Sequence, residues 1–387
     1  MRRLLCLSLA LPLLAAAPPA NFVEHTIAND LRGGYQVVVA DLNHDGRPDL
    51  IALASNLTDL LWFENPGLKG TGTENAAWQP HVLVAGMSRM INCVVVGNEI
   101  VVASAFENQA KNSIGIVSVL HPGDDVLQPW TATEIDRLTT SHRLRTADID
   151  GSGKLVVINA ALTGAAAGEP DYRDQTPLVY YVPGEWKRRV ISTENSGVVH
   201  GIFVTDWDPN SDTKGRQGIL TASFNRIHLF RYGKDAKWTR TEISKGDPAA
   251  WPKSGSSDIA VGHIAKQRFL AAIEPWHGTQ VAVYTSRGTQ WDRAVIDTTL
   301  NDGHTILAAD LNGDGIDEIV AGFRGQPRSV YIYSYDASAK SWVRTDLGKG
   351  AMGAAACATS DLNTDGRPDI VCIDGTRLKW YENAPAH

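Results

Sequence analysis

Past its first twenty residues this 387-residue sequence has little cysteine, no cationic surplus and no long apolar run. Four cysteines in a chain of this length cannot make a disulfide framework, so its stability must rest on ordinary burial of its 43% apolar residues. A formal net charge of −7 and the lack of any basic stripe leave no electrostatic footprint for nucleic acid. No later segment reaches the roughly 20 apolar residues that a helical membrane span requires. Amphipathic helical periodicity of useful length is missing as well, which removes helix bundles and strand–helix alternation.

What is present begins with an export signal. Arg2 and Arg3 precede an apolar run from Leu4 to Leu14 and then Ala15-Ala16-Ala17. Residues 1–20 are expected to be removed, leaving 21–387 as one secreted or periplasmic domain with no membrane span. Cys93, Cys357 and Cys372 survive that cleavage. Cys357 and Cys372 fall on the two strands of the last hairpin, where they either pair or, the preferred reading, remain buried free thiols.

One decapeptide recurs. Asp41-Leu-Asn-His-Asp-Gly-Arg-Pro-Asp-Leu returns as Asp310-Leu-Asn-Gly-Asp-Gly-Ile-Asp-Glu-Ile and as Asp361-Leu-Asn-Thr-Asp-Gly-Arg-Pro-Asp-Ile. Short apolar runs flank each copy, so each is a hairpin with an acidic, Gly-containing turn. A second marker gives the count. Phe22, Trp78, Trp130, Trp186, Trp238, Trp291 and Trp342 each open a strand of alternating polarity, 51 to 56 residues apart. The strand end ahead of the acidic turn is also marked seven times, at Asp41, Asn98, Asp148, Asp206, His263, Asp310 and Asp361. Further strands lie between the marks, giving about four per repeat.

Radially repeated four-stranded sheets are β-propeller blades. The sequence therefore predicts an all-β, seven-bladed propeller of four-stranded antiparallel blades. It starts on an outer strand and ends on a third strand, so Phe22–Ile27 should complete the last blade. The Asp-x-Asn-x-Asp-Gly turn after a strand resembles the FG-GAP/VCBS repeats of secreted propellers and integrin α-chains.

The acidic turns have two readings. Asp41, Asn43, Asp45 and Asp49 occupy positions one, three, five and nine, as do Asp310, Asn312, Asp314 and Glu318, and Asp361, Asn363, Asp365 and Asp369. Alternating oxygen ligands with a glycine after the fifth position match the opening of a calcium loop, and calcium is preferred for these three copies. The alternative is a turn whose Asp and Asn bond their own backbone. That second reading is preferred for the degenerate copies at Asp148 and Asp206.

The opposite ends of the same strands carry different chemistry. Six positions before the seven marks stand Tyr35, Asn92, His142, His200, Ser257, His304 and Ala355. The innermost strand of each blade begins there, so His142, His200 and His304 should converge on the central axis at one mouth. Arg143, Arg145 and Asp258 lie beside them. Loops returning to that mouth bring Tyr172, Glu274, Trp276, His277 and Arg324, and the loop from Ala160 to Pro177 is long enough to fold over as a lid. About six residues at roughly 3.3 Å each separate this mouth from the acidic turns by about 20 Å. Imidazoles shuttle protons near neutral pH or hold a divalent metal, while arginines, acids and a tryptophan face suit a sugar.

Ser141-His-Arg-Leu-Arg-Thr-Ala-Asp, Val199-His-Gly-Ile, Gly255-Ser-Ser-Asp, Ile273-Glu-Pro-Trp-His-Gly and Asp302-Gly-His304 together resemble the propeller domain of the aldos-2-ulose (anhydrofructose) dehydratase family, which eliminates water from keto-sugars. Fungal members add cupin domains for a following isomerisation. This sequence ends at His387 without them, so the resemblance implies at most the dehydratase half. The expected activity is a carbon–oxygen lyase on a keto-sugar, with His142, His200, His304 and His277 supplying base and acid. Arg143, Arg145, Tyr172, Asp258, Glu274, Trp276 and Arg324 are expected to hold the sugar or oligosaccharide. The alternatives are a glycan or keto-glycoside lyase using the same chemistry, and a secreted propeller that only binds carbohydrate or protein.

Overall fold

The computed structural model describes residues 20–67, 77–207 and 215–385. The expected export signal and most of the degenerate turn after Asp206 lie outside the described residues. Seven four-stranded antiparallel sheets make up the chain, with a single short 3₁₀ turn at Ala110–Asn112 among the described residues.

The first blade runs from the axis outward through Gly34–Ala40, Asp49–Ala54, Leu60–Glu64 and Gln79–Val84. Each later blade repeats that order. The second strand of the first blade is buried along its whole length, because neighbouring blades cover both of its faces. This is why second strands read as continuous apolar runs such as Ile319-Val-Ala-Gly-Phe. Outer strands such as Trp238–Ser244 have one face in water and read as alternating. Seven apolar clusters result, one at each blade-to-blade interface, so the core is a ring around an axis with no common centre.

Ring closure follows the expectation. Asn21–Ala28 pairs antiparallel with Leu378–Ala384 as the fourth strand of the last blade. Leu31, Leu50 and Ala52 of the first blade pack on Val371, Ile373 and Trp380 of the seventh.

The free-thiol expectation is corrected. Cys357 and Cys372 sit directly opposite each other on adjacent strands and form a disulfide, with Cα atoms 4.1 Å apart. Sequence spacing gave the two strands but not their register, and the register is what faces the sulfurs. Cys93 is a buried free thiol.

In the three acidic turns the side chains bond the turn itself. Both Asp41 carboxylate oxygens accept backbone N–H groups, from Asp45 at 3.1 Å and Gly46 at 3.0 Å. Asp310 and Asp361 do the same. The glycine at position six has φ of +83°, +81° and +87° in the three copies, a region costly for any residue with a Cβ. Asn43, Asn312 and Asn363 each donate their side-chain amide to the carboxylate two residues on, Asp45, Asp314 and Asp365. The ninth position turns inward. Asp49 is fully buried and accepts the N–H groups of Leu42 and Asn65, both at 2.9 Å. Asp369 accepts those of Leu362 and Asn383, and Glu318 that of Leu311. Burial raises these three carboxyls, to about 6 for Asp49 and Asp369 and about 7 for Glu318.

Candidate functional site

The local device that builds the site is a β-bulge. In four blades the pairing of first and second strand skips one residue at the start of the inner strand. The skipped residues are Tyr35, His142, His200 and His304. The blades beginning at Asn92, Asp258 and Ala356 pair without a skip. A bulge leaves one residue outside the ladder and re-aims its side chain. Here all four point to the axis.

Their rings make one cluster with His277. His200 lies 5.0 Å from His142, 5.0 Å from His277 and 4.8 Å from His304, centroid to centroid. Tyr35 stands 5.2 Å from His304, and its hydroxyl is 2.9 Å from His142 Nε2. His142, His200 and His304 are each about 1% exposed, and His277 is half-buried.

Surrounding groups orient the imidazoles. His304 Nδ1 donates to the Ala355 carbonyl at 2.5 Å, which leaves Nε2 as a buried lone pair with no protein partner. His277 Nδ1 faces Asp302 Oδ1 at 3.1 Å, and Asp302 is clamped by two bonds of 3.0 Å from Arg324. His200 Nδ1 lies 3.3 Å from Ser257 Oγ. The Nε2 atoms of His200 and His277 face each other 3.4 Å apart, and Arg324 Nη2 lies 3.2 Å from His277 Nδ1. Arg143 spans the group, donating to His142 Nε2 at 3.1 Å and His200 Nε2 at 3.4 Å.

Burial holds His142, His200 and His304 well below the ordinary imidazole range. Arg143 reinforces this at His142 and His200, and Arg324 at His304. Burial lowers His277 too, against the opposing pull of Asp302. Burial alone would raise Asp302, but hydrogen bonds from His277 and Arg324 hold it at about 2. Burial thus favours the neutral form of all four imidazoles.

The spacing of these ring nitrogens suits a divalent cation, which at His200 would take the place of the Arg143 contact. One nitrogen each from His200, His277 and His304 lies within 4.8 Å of the others. Two nitrogens bound at about 2.0–2.1 Å to one tetrahedral ion stand about 3.4 Å apart, which is the His200–His277 separation. The backing by Asp302, Ala355 O and Ser257 follows the pattern by which outer groups fix the ring of a metal-binding histidine.

Other expected site residues are placed less centrally. Glu274 is corrected: it is fully buried beneath the loop, bonded to Ser256, Tyr284 and Arg293, with no face open to a ligand. Its raised carboxyl pKa stems from burial, which those bonds only partly offset. Arg145 and Asp258 line the channel below the histidines, a cavity of about 520 Å³. Asp258 ties the fifth blade to the sixth by accepting the Ile306 N–H at 3.3 Å, and burial raises its pKa. Burial and Arg143 together lower Arg145 to about 10. Tyr172 and Trp276 pack together at the mouth, 5.6 Å apart, with Trp276 4.7 Å from His277. The long third-blade loop is tied down: Trp251 Nε1 donates to Asp171 O at 2.7 Å, and Thr176 Oγ1 to Gly197 O at 2.9 Å. It forms part of the wall of the mouth. Tyr35, Ser257 and Asp302 are additions. Tyr35 and Ser257 held the right position in the repeat but were passed over for lacking an imidazole.

The model of the aldos-2-ulose dehydratase β-propeller domain matches residues 115–287, a span that includes His142, His200 and His277. That of the FG-GAP-like repeat matches 310–372. Aldos-2-ulose dehydratase of Phanerodontia chrysosporium is 24% identical over 305 residues, 70% of this chain and 33% of that protein. Rhamnogalacturonan endolyase YesW of Bacillus subtilis (strain 168) is 23% identical over 218 residues, 50% of this chain and 32% of that one. The chain thus spans about a third of the length of both curated relatives. Among solved structures, the WD40 β-propeller domain of Doa1 superposes with a TM-score of 0.55 at 12% identity, covering 93% of this chain and 97% of its own. BBS1N in its complex with ARL6DN gives 0.54 at 11%, covering 95% and 96%. These two likenesses concern the fold alone. The chain is a seven-bladed β-propeller that resembles the aldos-2-ulose dehydratase propeller domain through its second to fifth blades and an FG-GAP-like repeat through its sixth and seventh.

Proposed function

We propose that this protein is an exported carbon–oxygen lyase that β-eliminates an oxygen leaving group next to a sugar ketone. Aldos-2-ulose or 1,5-anhydrofructose dehydration is the reference reaction. The observation that carries the reading is the convergence of four neutral, oriented imidazoles and one tyrosine at a single mouth. The likeness to a dehydratase propeller supports it independently.

His200, His277 and His304 would hold a divalent metal. When bound, such an ion polarises the ketone oxygen and makes the adjacent C–H more acidic. Tyr35 and His142 form the proton-transfer couple. The carbon-bound proton passes to this pair, and the pair returns a proton to the departing oxygen. One couple serving both ends favours loss of proton and leaving group from the same face of the ring. Burial and Arg143 hold His142 below the ordinary imidazole range, and its Nε2 would take the proton in place of the Arg143 N–H bond. Arg324 and Asp302 orient His277. Trp276 stands beside that histidine, 4.7 Å away, as a wall of the mouth. Calcium in the three acidic turns is proposed as a structural ion, on ligand spacing alone. Export is supported by the Cys357–Cys372 disulfide, which suits an oxidising compartment. No helix among the described residues is long and apolar enough to cross a membrane.

The test is to mix the protein with 1,5-anhydrofructose or a 3-keto-glycoside and follow the ultraviolet absorbance of an enone. Tyr35→Phe and His142→Gln should each lower turnover at least about 10²-fold while melting like wild type. Saccharide binding without any enone would favour a binding propeller instead.

A further inference from the structure

The histidine mouth is flanked by two cavities of different character. On one side, about 350 Å³ is lined by Tyr35, Arg324, Arg328 and Asp374 among glycine backbone. On the other, about 270 Å³ is lined by Tyr172, Phe224, Trp276 and three prolines, with the charged Glu169 and Lys253 at its edge. Tyr35 and Arg324 belong at once to the histidine site and to the polar cavity. Trp276 lines the aromatic cavity and its ring centroid lies 4.7 Å from that of His277, so it is a wall common to both spaces.

The aromatic cavity is rigidly built. Phe224 lies 5.5 Å from Trp276 and 5.6 Å from Trp251, and Tyr172 lies 6.0 Å from Phe224. The Tyr172 hydroxyl donates to Glu169 at 2.8 Å, which fixes the ring in the cavity wall. An apolar cavity of about 150 Å³ holds one benzene. The space here therefore takes one six-membered ring with substituents. A free keto-sugar reacting at the histidines would leave it empty.

We propose that the departing oxygen carries a ring, aryl or glycosyl, whose apolar face lies against Phe224 and Trp276. The substrate would then be a keto-glycoside, with the oxidised sugar on the polar side of the histidines and the leaving ring on the aromatic side. This inference rests on the elimination reading above. The step balances without an external oxidant. The hydrogen α to the ketone leaves as a proton, and its electron pair forms the C=C bond. The C–O bond to the ring breaks with its pair on oxygen, and that oxygen takes up a proton and departs as the ring alcohol.

The test compares kcat/KM for enone formation from methyl 3-keto-glucoside, phenyl 3-keto-glucoside, 3-keto-cellobiose and 1,5-anhydrofructose. At least one ring-bearing substrate should exceed the methyl glycoside by about tenfold, the scale of one aromatic contact. Preference for phenyl identifies an aryl leaving group, and preference for the disaccharide a glycosyl one. Phe224→Leu and Trp276→Leu, each checked by melting, should erase most of that ratio. Enone from all four substrates with methyl as fast as either ring overturns this inference and leaves the elimination reading standing, as does a ratio unchanged in both variants. No enone from any of the four overturns the elimination reading and this inference with it.

Discussion

At the residue scale the site depends on which nitrogen of each imidazole is free. Ala355 O accepts from His304 Nδ1, while Asp302 and Arg324 both face His277 Nδ1 and Ser257 Oγ faces His200 Nδ1. Asp302→Asn would keep the shape but lose the charge behind His277. It should lower affinity for a divalent metal about 10–100-fold, read by titration with zinc. Unchanged affinity would remove His277 from the ligand set. His228, away from the mouth, gives a clean pH test. Burial, then Arg240 and Arg226, lowers it to about 4, whereas an unfolded histidine titrates near about 6.5. As pH falls through that value the unfolded chain gains a proton that the folded one refuses. Stability from this group is therefore complete above about 6.5 and declines towards about 4. Between pH 7 and pH 5 wild type should lose about 2 kcal/mol more than His228→Gln in urea denaturation. Equal losses would contradict the assigned burial effect. The three in-register histidines were legible because identical residue types stood at one repeat position. Asp302 was not, because its role is a contact across the mouth. Glu274 misled because an acid before a proline in a loop reads as exposed, while Arg293 and Tyr284 bury it.

At the scale of elements, hairpins were legible and their register was not. Asp, Asn and Gly spacing in the acidic turns is local chemistry, so each turn announced itself. The bulges at Tyr35, His142, His200 and His304 exist only relative to a partner strand, and no periodicity in one strand reveals them. The pairing of Cys357 with Cys372 stayed open in the sequence for the same reason. Their bond closes a separation of 15 residues, for which chain-entropy arguments give about 3 kcal/mol. Peptide mapping without reductant should recover the linked pair, and Cys357→Ser with Cys372→Ser should denature at lower urea. Two freely alkylated thiols in the folded, unreduced protein would contradict the pairing. Asn21–Ala28 also belongs here: its removal would bare Leu378–Ala384 as an edge strand, which invites aggregation. A truncation beginning at Asn29 should melt lower and scatter light on heating.

Across the whole molecule the two ends of the inner strands are separate workplaces. Acidic turns occupy one rim, and the histidine cluster opens on the other, with the ring of seven interfaces between them. Closure by the N-terminal strand was legible from the offset between two repeat counts, because a ring leaves no strand over. If the acidic turns hold calcium, a chelator selective for calcium should lower the melting temperature while leaving initial enone rates on the far rim nearly unchanged. The reverse pattern would move the calcium into the chemistry. The most direct measurement remains the appearance of an enone when the purified protein meets a keto-sugar. Wild type should generate it, with Tyr35→Phe and His142→Gln at least about 10²-fold slower. Wild-type rates in both variants, or no enone from wild type loaded with zinc, would contradict a lyase built on this mouth.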